Sequence, residues 1–224
     1  MMQDQIKKDE QIVFNLIEEY LNNNRYLNSK DLISFINSRF ARSSINISNN
    51  GIKEILNTLF KKKVIVERSK FTKKDVLFNY NRKLIYELIK KKPGIHFNKI
   101  GKILNMNNSM VAWHLNILLN FQYIKKKKIE NFEAYFDLNI SDDNIKIIHL
   151  ISREKYKRII DFLKKNKKGC TKYRLSKELG MHPNTISKYI SNLEEFGLLR
   201  RKKLNNKTLI LLNEDVYENL VYNK

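Results

Sequence analysis

Sliding the chain along itself by 75 positions lays residues 82–138 over 157–213 without a gap. A duplication of this kind restricts the fold to something that one unit of about 60 residues can build twice. Leu88 meets Leu163, Gly94 meets Gly169, Lys102 meets Lys177, Leu104 meets Leu179, Met106 meets Met181, Leu118 meets Leu193 and Phe121 meets Phe196. Apolar character is kept at Leu84/Ile159, Ile85/Ile160, Ile95/Cys170, Ile100/Leu175, Val111/Ile186, Leu115/Ile190 and Ile124/Leu199.

The apolar spacing inside each copy changes in a readable order. Leu84, Ile85, Leu88 and Ile89 recur at helical intervals, and Lys92-Pro93-Gly94 ends that helix because proline cannot continue it and glycine accepts a left-handed terminus. A second helix carries Phe97, Ile100, Ile103 and Leu104 and stops at Asn105 in one copy and Gly180 in the other, the residue types best suited to positive φ. Asn107 caps a third helix, and Pro183 takes its first position in the later copy; Val111, Leu115 and Leu118 (Ile186, Ile190 and Leu193) form its inner face. Two short strands around a polar tip come next: 123–129 and 132–138 around Glu130-Asn131, then 198–204 and 208–213 around Asn205-Asn206-Lys207.

Three helices and a β-hairpin in this space describe a winged helix-turn-helix. The expected fold class is therefore mainly α with small β-hairpin wings, as tandem domains over 81–140 and 141–224. Residues 1–80 read as a divergent third copy: helices over about 9–22 and 29–40, Ser48 capping a helix with Ile52, Leu56 and Leu59 inward, and a longer hairpin from 64–70 and 76–80. An offset of 59 supports only its second half, pairing Ile52/Val111, Leu56/Leu115, Leu59/Leu118 and Ile65/Ile124; residues 41–47 are extra. With two Pro and six Gly in the chain, no flexible linker is evident, 141–151 is expected to pack as a helical connector, and the domains are expected to keep a fixed arrangement.

Charge narrows the partner. The chain carries 44 Lys and Arg against 23 Asp and Glu, a formal net charge of +21. Lys, Asn and Ile are all abundant, as codon drift would make them, but drift should raise Glu with Lys, and Lys far outnumbers Glu here. The resulting field favours polyanions. Basic excess rises along the chain: 14 basic against 9 acidic residues over 1–80, 11 against 4 over 81–140, and 19 against 10 over 141–224. No stretch is long and apolar enough to span a bilayer, which places the chain in the cytoplasm without a membrane role. The lone Cys170 and four scattered His rule out a disulfide framework or zinc cluster, so no metal site is expected. Cys170 and the Met106/Met181 and Phe121/Phe196 pairs read as core, His114 as half-buried packing, and His182 as a cap.

Enzyme signatures are missing: no glycine-rich phosphate loop, nucleophile elbow, metal-binding His pair or candidate acid/base carboxylate pair is present. No catalytic residue and no cofactor is expected. What stands out is the outer face of each third helix: Asn108, Ser109, Ala112, Trp113 and Asn116 in the middle domain, and Asn184, Thr185, Ser187, Lys188 and Ser191 in the last. A merely solvated helix usually carries Glu and Lys there, whereas Asn suits adenine, Ser and Thr suit a base or phosphate, and Ala and Trp suit thymine methyls. Trp113 also suits a seat for a neighbouring domain or subunit. Lys125, Lys126, Lys127 and Lys128 recur as Arg200, Arg201, Lys202 and Lys203 on the first wing strand, with Lys207 at the second tip, so alternate side chains face a phosphate backbone. Double-stranded DNA is the expected ligand.

The run from Leu179 to Leu199, with Gly180-Met181-His182-Pro183-Asn184-Thr185-Ile186 at its turn, resembles the turn and recognition helix of the MarR/ArsR-type winged-helix regulators. Lys92-Pro93-Gly94-Ile95-His96-Phe97 with Met110-Val111-Ala112-Trp113-His114-Leu115 is similar to tandem winged-helix transcriptional regulators common in archaea. The resemblance covers about residues 82–213 and implies sequence-specific DNA binding, with the outward residues reading bases and the wings clamping the backbone. The middle copy departs from it: the common Ser-Arg-His of such helices is Ala112-Trp113-His114, without the basic reader, and no effector domain is visible. The chain reads two successive grooves itself or does so as a homodimer. The alternative is a protein-protein adaptor of the ESCRT-II-like or polymerase-associated kind, with a protein partner on the N-terminal domain; such a module should expose apolar patches and lack repeated basic wings.

Overall fold

The computed structural model describes residues 2–43, 45, 47–129, 132–204 and 206–222; the expected tip residues Glu130, Asn131 and Asn205, and Ser44 and Asn46 of the extra segment, lie outside them. The chain is mainly helical with small antiparallel sheets, a composition compatible with winged helix-turn-helix architecture. It divides into two compact units, Met1–Lys127 with Glu133–Leu138 and Lys128–Phe132 with Asn139–Lys224.

The first unit begins with α1 (Met2–Asn23), α2 (Ser29–Phe40) and α3 (Asn49–Lys61). Asn28 accepts from the Lys30 and Asp31 amides and Ser48 from that of Gly51, so both expected helix starts are capped. Val13, Ile17, Leu32, Ile36, Ile52, Leu56 and Leu59 close one apolar core. Beyond α3 the chain departs from the expected hairpin. Only Ile65 and Thr72 pair as an isolated bridge, and Lys73–Phe78 is a 3-10 helix. Thr72 donates from its backbone N and Oγ1 to Asp75 Oδ2 at 3.0 and 2.6 Å, which turns the chain where a second strand would run. Val76 then enters the next core rather than alternating along a strand.

That next core is built by α4 (Tyr80–Lys91), β1 (Ile95–His96), α5 (Phe97–Leu104), α6 (Asn108–Asn120), β2 (Ile124–Ile129) and β3 (Phe132–Asp137), with the sheet ordered β1-β3-β2. Ile85, Ile89, Ile100, Val111, Leu115, Leu118 and Phe121 fill it, with Val66, Phe71 and Leu77 packed against it from the preceding segment. Ile103 is 42% exposed, because the eight-residue α5 packs through Ile100 and Gly101. His114, expected to be half-buried, is buried at 3% exposure.

The second unit contains α7 (Asp142–Ser152), α8 (Glu154–Lys165), α9 (Lys172–Leu179), α10 (Pro183–Glu195), β4 (Leu199–Leu204), β5 (Lys207–Leu212) and α11 (Glu214–Tyr222). Ser141 caps α7, the expected connector, and His182 caps α10 by accepting the Asn184 N–H through Nδ1 at 3.2 Å. Ile159, Ile160, Leu163, Leu175, Ile186, Ile190 and Leu193 form its core. Cys170 is buried there, which pushes its thiol up to about 11 and keeps it protonated. Sequence patterning carried no sign of α11, whose Val216, Tyr217 and Leu220 pack on that core.

The duplication is visible bond by bond. Met106 N donates to Gly101 O at 3.0 Å and Met181 N to Ser176 O at 3.1 Å; Tyr123 N to Leu118 O and Leu198 N to Leu193 O, both at 2.9 Å. Ile95 pairs with Tyr135, and Cys170 with Ile210. Asn105 and Gly180, at φ 52° and 61°, make the same left-handed helix end.

Two glycines separate conformational from steric cost. Nothing lies within 4 Å of a Cβ placed on Gly180, whereas one on Gly169, at φ +80°, would meet Leu211 Cγ at 2.9 Å and Ile210 O at 3.0 Å. Gly180→Ala is expected to cost about 1 kcal/mol, the left-handed penalty alone, and Gly169→Ala at least twice as much by urea denaturation. Equal losses would contradict the close approach at Gly169.

Candidate nucleic-acid interface

The inner faces of α6 and α10 are fixed by burial of Val111, Leu115 and Leu118 and of Ile186, Ile190 and Leu193. Helical geometry then dictates the opposite faces. On α6, Asn108, Ser109, Ala112, Trp113 and Asn116 are all exposed. On α10, Asn184, Lys188 and Ser191 are exposed and Thr185 and Ser187 half-buried, with the Ser187 hydroxyl donating to Pro183 O at 2.9 Å. Ser187 is therefore partly occupied by its own helix. Asn107 caps α6, its Oδ1 accepting the Met110 N–H at 2.8 Å.

Strand alternation sorts the basic runs. In β4, paired with β5 from Leu199↔Leu212 to Leu204↔Lys207, the buried Leu199 shares its face with Arg201 and Lys203, while Arg200 and Lys202 point to the other side. Arg201 grips Glu194 at the end of α10 in a bidentate pair, Nε–Oε1 2.6 Å and Nη2–Oε2 2.9 Å, which raises the already high guanidinium pKa. The exposed pair contributes little to stability but ties the wing to the end of its helix. Lys126 is engaged similarly by Glu133 at 2.9 Å. Lys128, Arg200, Lys202, Lys203 and Lys207 are exposed and Lys125 and Lys127 half-buried. Each outward helix face is thus followed, after one short turn, by its basic strand, and Arg201 and Lys126 are committed to internal carboxylates that the sequence pattern did not single out.

Behind α6 lies a cluster with no sequence signal beyond its departure from the repeat. Arg82, which aligns with the exposed Lys157, is 1% exposed. Its Nη1 donates to Val76 O at 2.8 Å, and its guanidinium carbon sits 4.8 Å from the Phe71 ring centre and 5.3 Å from that of Trp113. Burial lowers its pKa, though arginine stays charged. The His114 ring stacks at a tilt on Trp113, 4.7 Å between centres, with no partner for its Nδ1.

Burial, and then the Arg82 charge, hold the His114 imidazole below its ordinary pKa of 6.5. Below pH 6.5 the unfolded chain takes up a proton that the folded one resists, so stability falls as pH drops from 6.5 toward the folded pKa. The urea midpoint of the first unit is expected to decline on acidification through this window and to decline less in His114→Gln. An unchanged decline in the variant would contradict the assignment.

No group of His, Cys, Asp and Glu among the described residues is arranged to hold a metal, and no helix among them is long and apolar enough to cross a membrane. No family model matches the chain. Over 141 residues, 63% of its length, it is 30% identical to an uncharacterized HTH-type transcriptional regulator of Methanocaldococcus jannaschii, and it spans about a third (35%) of that protein.

Proposed function

We propose that the chain is a sequence-specific double-stranded DNA-binding transcriptional regulator, a non-enzymatic cytoplasmic protein of tandem winged helix-turn-helix domains of the MarR/ArsR-like type. Its three domains are 1–80, 81–140 and 141–224, the first with a wing reduced to one bridge. In this reading α6 and α10 are recognition helices in the major groove. Asn108, Ser109, Ala112, Trp113 and Asn116, and Asn184, Thr185, Ser187, Lys188 and Ser191, meet base edges or nearby phosphates. The basic strands and Lys207 contact the backbone.

One observation carries the reading: twice in the chain, a cap-started helix that exposes Asn and Ser side chains on its outer face is followed directly by a strand bearing four consecutive cations. The name of the M. jannaschii relative supports it. Phe78 and Tyr80, 81% and 72% exposed, favour an additional protein contact on the first unit. Titrating a random-sequence duplex with the full chain at several salt concentrations tests the proposal. Binding that weakens steeply with salt supports it, and absence of binding at low salt overturns it.

A further inference from the structure

The two candidate recognition helices differ in a way that chemistry converts into base preference. Asn108–Asn120 contains no charged residue at all, whereas α10 exposes Lys188 at the position aligned with Trp113. Guanine is read in the major groove chiefly by a bidentate Arg or Lys on O6 and N7, adenine by Asn or Gln on N6 and N7, and thymine by apolar contact with its methyl group. Asn108, Ala112, Trp113 and Asn116 offer the second and third kinds of contact and none of the first. The nearby Arg82 cannot supply the missing cation. It is 1% exposed, hydrogen-bonded to Val76 O and enclosed between Phe71 and Trp113, with Nε and Nη2 unpartnered.

Arg82 has a different consequence. A guanidinium 5.3 Å from the indole centre and the tilted His114 ring 4.7 Å away restrain Trp113, while about half of its surface (51%) stays open to solvent. A large apolar ring fixed before binding loses little rotamer freedom on contact. We propose that α6 selects A·T pairs, with Trp113 packed against a thymine 5-methyl group and Asn108 and Asn116 directed at adenine, leaving G·C recognition to Lys188 on α10. The proposal rests on the duplex-binding reading above and deepens it.

Thymine and uracil in duplexes differ only by that methyl group. The full chain is titrated with short alternating A·T, A·U, G·C and inosine·cytosine duplexes, read by anisotropy of labelled DNA and by emission of the single tryptophan. The A·T duplex should bind more tightly than A·U and perturb the tryptophan emission, whereas the G·C duplex, read through Lys188 on α10, should leave that emission little changed. A·U should bind about fourfold more weakly per methyl contacted, from ~0.8 kcal/mol per buried methylene-sized group. Inosine·cytosine, which pairs an A·T-like minor groove with a G·C-like major groove, should behave as G·C. Trp113→Ala, at a half-exposed site, should remove most of the T-over-U preference while weaker, salt-dependent binding persists. Equal affinity for A·T and A·U, or a T-over-U preference retained in Trp113→Ala, overturns the proposal and leaves duplex binding standing. No binding to any of the four at low salt overturns both.

Discussion

Arg200→Gln combined with Lys202→Gln is expected to weaken duplex binding about 30-fold at physiological ionic strength and to flatten its salt dependence. Each phosphate contact releases counterions worth ~0.9 in the slope of log affinity against log salt, so two lost contacts remove about 2 from that slope. These residues, rather than Arg201, are the informative pair. Arg200 and Lys202 lie exposed on the face of β4 opposite the buried Leu199, whereas Arg201 is held by Glu194. Because neither side chain is buried, unfolding should move by no more than about 0.5 kcal/mol. The weakened binding is then assignable to the interface. Unchanged affinity and slope would remove the wing from the DNA contact.

Phe121→Ala is expected to be the most destabilising of the substitutions discussed, by about 3–5 kcal/mol, since a fully buried phenylalanine leaves a cavity as well as losing its transfer energy. Phe121 is 1% exposed and packs in the core with Leu118, Ile124 and Tyr135. Phe196, its counterpart in the duplication, is only half-buried, so Phe196→Ala should cost clearly less. Denaturation of the two variants side by side checks this. Equal losses would mean that repeat position, rather than packing, sets the cost.

The Phe121/Phe196 pair shows where sequence reading reaches its limit. A repeat at fixed offset transmits backbone structure faithfully, because turns, caps and left-handed helix ends depend on local residue types: Asn105 and Gly180 share one conformation, as do Gly94 and Gly169 at φ 82° and 80°. Burial depends on what arrives from elsewhere in the chain. Residues of 66–77, Phe71 and Val76 among them, pack in or against the core of the middle copy although they lie outside the repeat. That is why the repeat alone does not distinguish Arg82 from Lys157, and why His114 is deeper than expected. The same non-local packing replaced the expected hairpin over 64–80: apolar residues at Val64, Val66, Val76 and Phe78 mimic strand alternation, but the Thr72–Asp75 turn and the burial of Val76 decide the outcome.

The candidate interface was legible to a similar depth. Every outward residue expected on α6 is exposed, because helical periodicity fixes both faces once the inner one is known. The engagement of Arg201 by Glu194 and of Lys126 by Glu133 was not legible, since such pairs form across elements whose approach only the tertiary fold determines.

The central claim is that the helix faces and basic strands engage the DNA backbone and grooves. Affinity of the full chain for a random-sequence duplex, measured by anisotropy across salt concentrations, tests it most directly. Neutralising about eight phosphates predicts a slope of log affinity against log salt near −7. A slope near zero, or no association at low salt, would contradict it.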